Sequence, residues 1–107
     1  MIRILIADDH RILLDGLKVI LDRVPEFDVV ATAEDGLQVL ELLEEHDVDV
    51  LLLDLQMPNM DGLETTKRAT EKYPGINVLM LTTNDEGSII TSMFKHGATG
   101  YLLKMHQ

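Results

Sequence analysis

The chain has 107 residues, of which 46% are hydrophobic, and it contains no cysteine. This length and composition fit one folded domain and argue against a disordered segment. A formal net charge of -10 disfavours direct contact with DNA, because such a surface repels phosphate backbones. The sequence has no apolar run of membrane-spanning length, no secretory leader pattern and no possible disulfide, so we expect a cytoplasmic protein without membrane contact.

Five short apolar runs rich in Val, Ile and Leu predict β-strands. These runs are Ile2–Ala7, Phe27–Ala31, Val48–Leu53, Ile76–Leu81 and Thr99–Leu103. The first, third and fourth runs are almost continuously hydrophobic. Continuous hydrophobicity is typical of central strands in a parallel sheet that is covered on both faces.

Stretches with helical spacing of apolar residues separate the strands. The predicted buried face of the first helix, which Pro25 ends, consists of Leu13, Leu17, Ile20, Leu21 and Val24. The shorter second helix has a predicted apolar face of Leu37, Leu40 and Leu43. Each pattern places its apolar side chains on one side of a helix, which predicts packing against the sheet.

Two further helices are predicted in the second half of the chain. The third runs from about Asp61 to Tyr73, and the fourth runs from about Asp85 to His96, where Gly97 stops it. We interpret Asp61 and Asp85 as helix caps. The predicted buried side of the fourth helix consists of Ile89, Ile90, Met93 and Phe94.

Strands and helices alternate along the whole chain. With right-handed crossovers, this alternation predicts a three-layer, doubly wound α/β fold around a parallel five-stranded sheet. The chain stops four residues after Leu103, where a fifth helix would begin. We therefore expect a single domain, residues 1–107, that is truncated before that helix or is covered there by another chain or segment.

Polar residues follow four of the predicted strands. Asp8 and Asp9 follow the first strand, Asp54 the third, Thr82 the fourth and Lys104 the fifth. Because open α/β sheets bind ligands beyond the carboxyl ends of their strands, these five side chains are predicted to converge. Helix capping or solvent exposure explains each residue singly, but their joint occurrence favours a functional site.

Clustered carboxylates repel one another, so such a group persists chiefly around a hard cation. Mg2+ suits these ligands, and Mn2+ is an alternative. The predicted ligands are the side chains of Asp9 and Asp54, the backbone carbonyl of Gln56, and Asp8 acting through water. Beside a metal, an aspartate can accept a phosphoryl group as an acyl phosphate. Lys104 would then neutralise phosphoryl charge.

Four motifs resemble the response-regulator receiver family and together cover nearly the whole chain. They are Ile6–His10, Leu52–Gly62, Leu81–Thr82 and Gly97–Lys104. The Asp-Asp-His start and the Gly-Tyr-Leu-Leu-Lys ending resemble the NarL subfamily, whose members carry a C-terminal LuxR-type helix-turn-helix domain.

The resemblance implies a flavodoxin-like strand order of 2-1-3-4-5. It also implies roles for individual residues: Asp54 as phosphoacceptor, Asp8 and Asp9 as the acidic metal pair, Thr82 as switch hydroxyl, Lys104 as phosphate-binding lysine and Tyr101 as switch aromatic. The implied partners are a sensor histidine kinase, a second copy in a phosphorylation-dependent homodimer, and DNA through a helix-turn-helix domain outside this chain. In the implied switch, phosphate draws Thr82 inward and Tyr101 turns in, reshaping the face of helix four and strand five.

Two positions near the site depart from simple expectation. The family often has proline after the lysine, with a cis bond before it, whereas Met105 follows Lys104 here. We predict that the Lys104–Met105 bond is cis if the site is intact, although a cis bond before a non-proline residue costs roughly 3 kcal/mol. Gly62 is predicted to permit the tight start of the third helix, and His10 is assigned no role in phosphoryl transfer.

Two alternatives belong to other functional classes. A phosphatase of the haloacid-dehalogenase type also uses an aspartate nucleophile with Mg2+, but it needs a second aspartate where Gln56 stands. A dimerisation module would need no reactive Asp54. We expect a phosphoacceptor and not a multiple-turnover enzyme.

Overall fold

The computed structural model describes residues 1–83 and 86–104. Within these ranges five strands alternate with four helices. They are β1 (Ile2–Ala7), α1 (Arg11–Asp22), β2 (Phe27–Ala33), α2 (Gly36–Glu45), β3 (Val50–Asp54), α3 (Gly62–Lys72), β4 (Asn77–Thr82), α4 (Gly87–Lys95) and β5 (Gly100–Leu103). The strands pair in parallel in the order β2-β1-β3-β4-β5, which confirms the predicted fold and strand order.

The strand boundaries differ from the predicted ones by one or two residues. β2 continues past Ala31 because Thr32 and Ala33 pair with Ile6 and Ala7 of β1. Three residues predicted to open strands lie instead in the preceding loops, and these are Val48, Ile76 and Thr99. Hydrophobicity marks the core and does not distinguish a paired strand from the loop that enters it.

Side chains of the central strands alternate between two cores. Leu5, Leu51 and Met80 pack in the core under α2, α3 and α4. Ile4 and Leu52 pack in the second core, under α1. Successive residues of a strand point to opposite faces, so a strand covered on both faces must be hydrophobic at nearly every position. The continuous apolar runs in the sequence have this origin.

The buried face of α1 is rotated from the predicted one. Leu14 is the buried residue of the helix, and Leu17 and Leu21 pack partly against its core. Leu13 and Ile20, predicted to be buried, are 36% and 59% exposed. Apolar residues surround much of this helix, so periodicity identifies Leu17 and Leu21 correctly but includes the exposed Leu13 and Ile20 and misses Leu14.

The predicted faces of α2 and α4 each contain one wrong assignment. Leu37 is 46% exposed, because Val39 and Leu43, four residues apart, form the side of α2 that faces the sheet. Phe94, predicted as core, is 47% exposed and rests its ring edge-on against another aromatic ring, whereas Met93 is fully buried. α4 begins at Gly87, and the predicted cap Asp85 lies outside the described residues.

An open apolar groove lies on the face of the sheet that α1 covers. The groove has a volume of about 970 Å3 and runs between α1 and β5. Leu13 and Ile20 line one wall, and Leu102 and Leu103, each about half exposed, line the other.

None of the helices in the described part of the chain has the length and apolar character that a membrane span requires.

Candidate functional site

Two buried carboxylates lie at the carboxyl edge of the sheet. Asp54 is the last residue of β3 and is 5% exposed, and Asp8, directly after β1, is completely buried. β1 and β3 are neighbours in the sheet, with Ala7 paired to Leu53, so the next residue of each strand reaches the same place. Buried carboxylates side by side require a counter-charge.

Lys104 supplies positive charge to both carboxylates. Its Nζ lies 2.6 Å from Asp8 Oδ2 and 3.2 Å from Asp54 Oδ1. Its backbone N–H donates a hydrogen bond to the carbonyl oxygen of Thr82, 2.7 Å away, which continues the pairing of β4 with β5 and directs the side chain inward. The structure thus confirms that Lys104 points into the site. The predicted cis bond to Met105 lies outside the described residues.

The surroundings shift the pKa values of both Asp54 and Lys104. Burial, and then the charge of Asp8, raise the pKa of Asp54, while Lys104 and the backbone N–H of Gln56 act in the opposite direction. Burial alone would lower the pKa of Lys104, but the hydrogen bond to Asp8 and the charge of Asp54 outweigh it and raise that pKa. The ammonium group therefore stays charged, and its proton is held by the carboxylates.

Asp9 and His10 complete a group of possible metal ligands. One carboxylate oxygen each from Asp8, Asp9 and Asp54 and one ring nitrogen of His10 all lie within 4.8 Å of one another. His10 Nδ1 is 3.1 Å from Asp8 Oδ1 and 3.2 Å from Asp9 Oδ1. Three carboxylates against one ammonium leave negative charge, and their oxygens suit a hard divalent cation. The donor set therefore fits Mg2+.

The position of His10 was missed in the sequence. Its only local signal was adjacency to the acidic pair, and residues next to one another along a chain usually point apart. Here the backbone N–H of His10 donates to Asp8 Oδ1 at 2.8 Å, which turns the chain back on itself as it enters α1. The ring nitrogen Nδ1 consequently lies close to both carboxylates.

The β3–α3 loop (residues 55–61) carries the remaining predicted ligand, Gln56. The backbone N–H of Gln56 donates to the carboxylate of Asp54, which keeps this residue beside the cluster. Asp61 ends the loop as the N-cap of α3, and its side chain accepts from the backbone N–H of Glu64 at 2.9 Å. The predicted capping role of Asp61 is confirmed.

Gly62 permits the tight start of α3, as predicted, and it does so because the backbone of the preceding segment approaches it closely. A Cβ at this position would lie 2.4 Å from the backbone oxygen of Asp54 and 2.9 Å from the Cα of Leu55. The backbone N–H of Gly62 donates to the carbonyl oxygen of Leu55 at 2.8 Å, which brings the two segments together. A side chain is excluded by this close approach to Asp54, and no unusual backbone angle is involved.

We predict that Gly62→Ala destabilises the domain by about 1–3 kcal/mol, the typical cost of an overpacked position. The added methyl group must push against backbone atoms of Asp54 and Leu55, which cannot rotate away. Urea unfolding measures the effect, and Gly16→Ala is the matched control because nothing lies within 4 Å of its added Cβ. Alanine in mid-helix should stabilise the control by up to about 1 kcal/mol. Equal stability of Gly62→Ala and wild type would contradict the prediction.

Thr82 and Tyr101 point to the same face of the sheet, because Tyr101 pairs with Met80, two residues before Thr82 in β4. Thr82 is 2% exposed and lines the same end of the groove as Asp54 and Lys104. Tyr101 is half-buried and packs against the core under α2–α4, with its ring centroid 6.4 Å from that of Phe94. The five predicted convergent residues therefore meet at one edge of the sheet, and Tyr101 packs in the core next to that edge, two residues before the end of β5.

Comparison with known proteins identifies the family. The sequence of residues 4–107 matches the response regulator receiver domain. The chain belongs to the response regulator receiver domain family. It is 46% identical to the transcriptional regulatory protein DegU of Brevibacillus brevis over 96% of this chain, and 44% identical to the nitrate/nitrite response regulator NarL of Escherichia coli over 94%.

A solved receiver domain has the same fold. The signal receiver domain of NarL from Mycobacterium tuberculosis superposes with a TM-score of 0.92 at 34% identity, covering 99% of this chain and 86% of that chain. The protein is thus a receiver domain of NarL/LuxR type. The chain spans 44% and 47% of the lengths of the curated relatives DegU and NarL.

Proposed function

We propose that this receiver domain accepts a phosphoryl group on Asp54 from a sensor histidine kinase and thereby switches a two-component response regulator. The observation that carries the proposal is the contact of the Lys104 ammonium with both Asp8 and Asp54. An ammonium held between the buried Asp8 and the strand-end Asp54 offers a positive charge for phosphoryl oxygens where Asp54 would react.

The proposed step is an in-line transfer. A carboxylate oxygen of Asp54 forms a bond to phosphorus while the P–N bond of a phosphohistidine breaks, and the leaving imidazole nitrogen keeps the electron pair and takes up a proton. Asp54 ends β3 and lines the groove, and the phosphohistidine of the kinase would reach its carboxylate from that side. Lys104 then interacts with the phosphoryl oxygens, and Thr82 donates a hydrogen bond to the attached phosphate.

A divalent ion is part of the proposal. Asp9 and Asp54 would hold it through side-chain oxygens, Gln56 through its backbone carbonyl, and Asp8 through water. When bound, Mg2+, or alternatively Mn2+, supplies positive charge that stabilises the phosphoryl oxygens during transfer. The 4.8 Å clustering of carboxylate oxygens supports this assignment.

The proposed output passes through the face formed by α4 and β5. Once Thr82 moves toward the phosphate, Tyr101 turns inward and changes this surface, which then favours a homodimer. The half-exposed ring of Phe94 beside Tyr101 supports a role for this face in contact with another molecule. DNA would be bound by a helix-turn-helix domain in the longer protein, in the cytoplasm. The relative DegU is named a transcriptional regulatory protein, which supports a DNA-binding output. The domain is proposed to be modified once and not to turn over external substrates.

Intact-mass analysis with acetyl phosphate tests the proposal. We expect a gain of one phosphoryl group in the presence of Mg2+, no gain when EDTA removes the ion, and loss of the group with hydroxylamine, which cleaves acyl phosphates. If the protein is labelled equally in the presence of EDTA, and if hydroxylamine does not remove the label, the modified residue is of another type. No labelling at all would favour a dimerisation module instead.

A further inference from the structure

The β2–α2 turn (Glu34 and Asp35) contacts both segments that carry the proposed metal ligands, although it lies outside the cluster itself. Glu34 Oε1 accepts from Arg11, with Nε at 3.1 Å and the terminal guanidinium nitrogen at 3.0 Å. Arg11 follows the acidic pair by two residues. On the other side, Asp35 Oδ2 accepts from Asn59 Nδ2 at 2.8 Å. The turn thus bridges the start of α1 and the β3–α3 loop.

Asn59 occupies a backbone conformation that most residues avoid. Its φ of 68° makes it the one non-glycine residue with positive φ in the described part of the chain. Glycine adopts this conformation with the least strain, and asparagine tolerates it better than other residues. Asparagine differs from glycine here by a side chain that bonds to Asp35. Asn59 also lies three residues after Gln56, in the same loop.

Asp35 is a rigid acceptor for that bond. It is the N-cap of α2, and its Oδ1 accepts from the backbone N–H of Gln38 at 2.8 Å. Gln38 Oε1 in turn accepts from the backbone N–H of Glu34 at 2.9 Å, which fixes the turn from both sides. The backbone N–H of Gln38 lowers the pKa of Asp35, and the Asn59 amide adds to this against the effect of burial. The bond to Asn59 is therefore charge-assisted.

The next residue of the loop touches the same helix start. A Cβ on Gly36, the first residue of α2, would lie 2.6 Å from the backbone oxygen of Met60. Two consecutive loop residues, Asn59 and Met60, therefore contact two consecutive residues at the start of α2, Asp35 and Gly36. This double contact holds the tip of the loop, while the Gly62–Leu55 hydrogen bond closes its base.

We propose that Asp35 and Asn59 are positioning residues for the metal site. Their hydrogen bond holds the β3–α3 loop so that the Gln56 carbonyl faces the acidic cluster, and it thereby sets the affinity for Mg2+. This inference rests on the proposed function, which includes Gln56 as a ligand. Groups that orient metal ligands typically change metal affinity by about 10–100-fold when they are removed.

Isothermal titration of the protein with Mg2+ tests the proposal through two substitutions. Asn59→Gly removes the amide but keeps the backbone conformation, and Asp35→Ser removes the second oxygen but keeps a good helix cap. We expect each to weaken Mg2+ binding about tenfold. The double variant should be no weaker than the weaker single variant, because both changes remove one bond. Urea unfolding without Mg2+ should remain close to wild type for Asn59→Gly.

A reciprocal exchange provides the rescue. In Asp35→Asn/Asn59→Asp the donor and the acceptor change places, and both residue types cap helices and tolerate positive φ. We expect this variant to recover most of the Mg2+ affinity, whereas Asn59→Asp alone places two carboxylates together and should bind less tightly than the exchange variant.

Asp61→Ser is the matched control, since it makes the same chemical change at the N-cap of α3. Affinity equal to wild type is expected there. If Asp61→Ser weakens Mg2+ binding as much as Asp35→Ser does, or if Asn59→Gly binds as wild type does, the positioning role is refuted. If wild type itself binds no Mg2+, the proposed function fails together with this inference. If wild type binds Mg2+ and only the variants behave otherwise than expected, this inference fails alone, so the two failures are distinguishable.

Discussion

Asp54→Asn should abolish phosphorylation by both acetyl phosphate and a phosphorylated histidine kinase. The amide has the same shape as the carboxylate but lacks the anionic oxygen that attacks phosphorus. Asp54 is also one of the proposed metal ligands, so the substitution removes a ligand as well as the nucleophile. Intact mass after treatment with phosphodonor and Mg2+ measures the result, and the variant should show no added phosphoryl group.

Asp22→Asn is the control for loss of a carboxylate. Asp22 is exposed on α1, where it pairs with Lys18 at 2.9 Å, away from the carboxyl edge of the sheet. It should be labelled as fully as wild type. Equal labelling of Asp54→Asn and wild type would refute the assignment of Asp54 as phosphoacceptor.

Asp54→Asn should also stabilise the domain at neutral pH without Mg2+. Because burial and the charge of Asp8 raise the pKa of Asp54, the folded state binds the proton more tightly than the unfolded state does. The resulting stabilisation is present below the unfolded pKa and is lost as the pH rises through the folded pKa. At neutral pH the ionised Asp54 therefore lowers the free energy of unfolding, and the uncharged amide of Asn removes this destabilisation. Urea unfolding should show a gain for Asp54→Asn that shrinks as the solution becomes acidic.

Lys104→Ala should slow phosphorylation while strengthening Mg2+ binding. The ammonium is the positive group that contacts Asp54, and removing one such stabilising group typically slows a reaction by about 100-fold. Mg2+ binding should tighten because the cluster loses a competing positive charge. The rate is followed by mass spectrometry with acetyl phosphate, and the affinity by calorimetry.

The free energy of unfolding should also fall in Lys104→Ala. Asp8 is completely buried and loses its ammonium partner at 2.6 Å, and breaking a buried pair typically costs about 3–5 kcal/mol. Lys72→Ala is the control, because Lys72 pairs with Glu44 on the surface at 2.9 Å. It should change stability by no more than about 1 kcal/mol and leave phosphorylation unchanged. A phosphorylation rate for Lys104→Ala equal to that of the control would refute the role of Lys104 in transfer.

Much of the site was predictable because parallel strands of one sheet bring their carboxyl ends to a common edge. Asp8 and Asp54 needed only two strand endings and the rule that these ends bind ligands. Lys104 followed from the same rule, although 96 positions separate it from Asp8. The residue that follows a predicted parallel strand can thus be placed at the carboxyl edge of the sheet before any side-chain contact is known.

The finer features of the site could not be predicted, because they depend on distances between segments that pattern analysis treats separately. Gly62 is necessary only because α3 starts against the backbone oxygen of Asp54. His10 joins the cluster because its backbone N–H bonds to Asp8. The contact of Asn59 with Asp35 spans 24 positions and has no local signal in either residue.

Hydrophobic periodicity and residue type are local properties, and they were sufficient to predict the alternation of strands and helices, the parallel sheet and the residues at its carboxyl edge. Two features required knowledge of the packed domain, namely which apolar side chains are buried, as with Leu14 in place of Leu13, and which polar groups are in contact. The reason is that burial depends on what covers each face. Hydrogen bonds between remote loops likewise depend on ångström-level placement, which the packing of the whole domain sets.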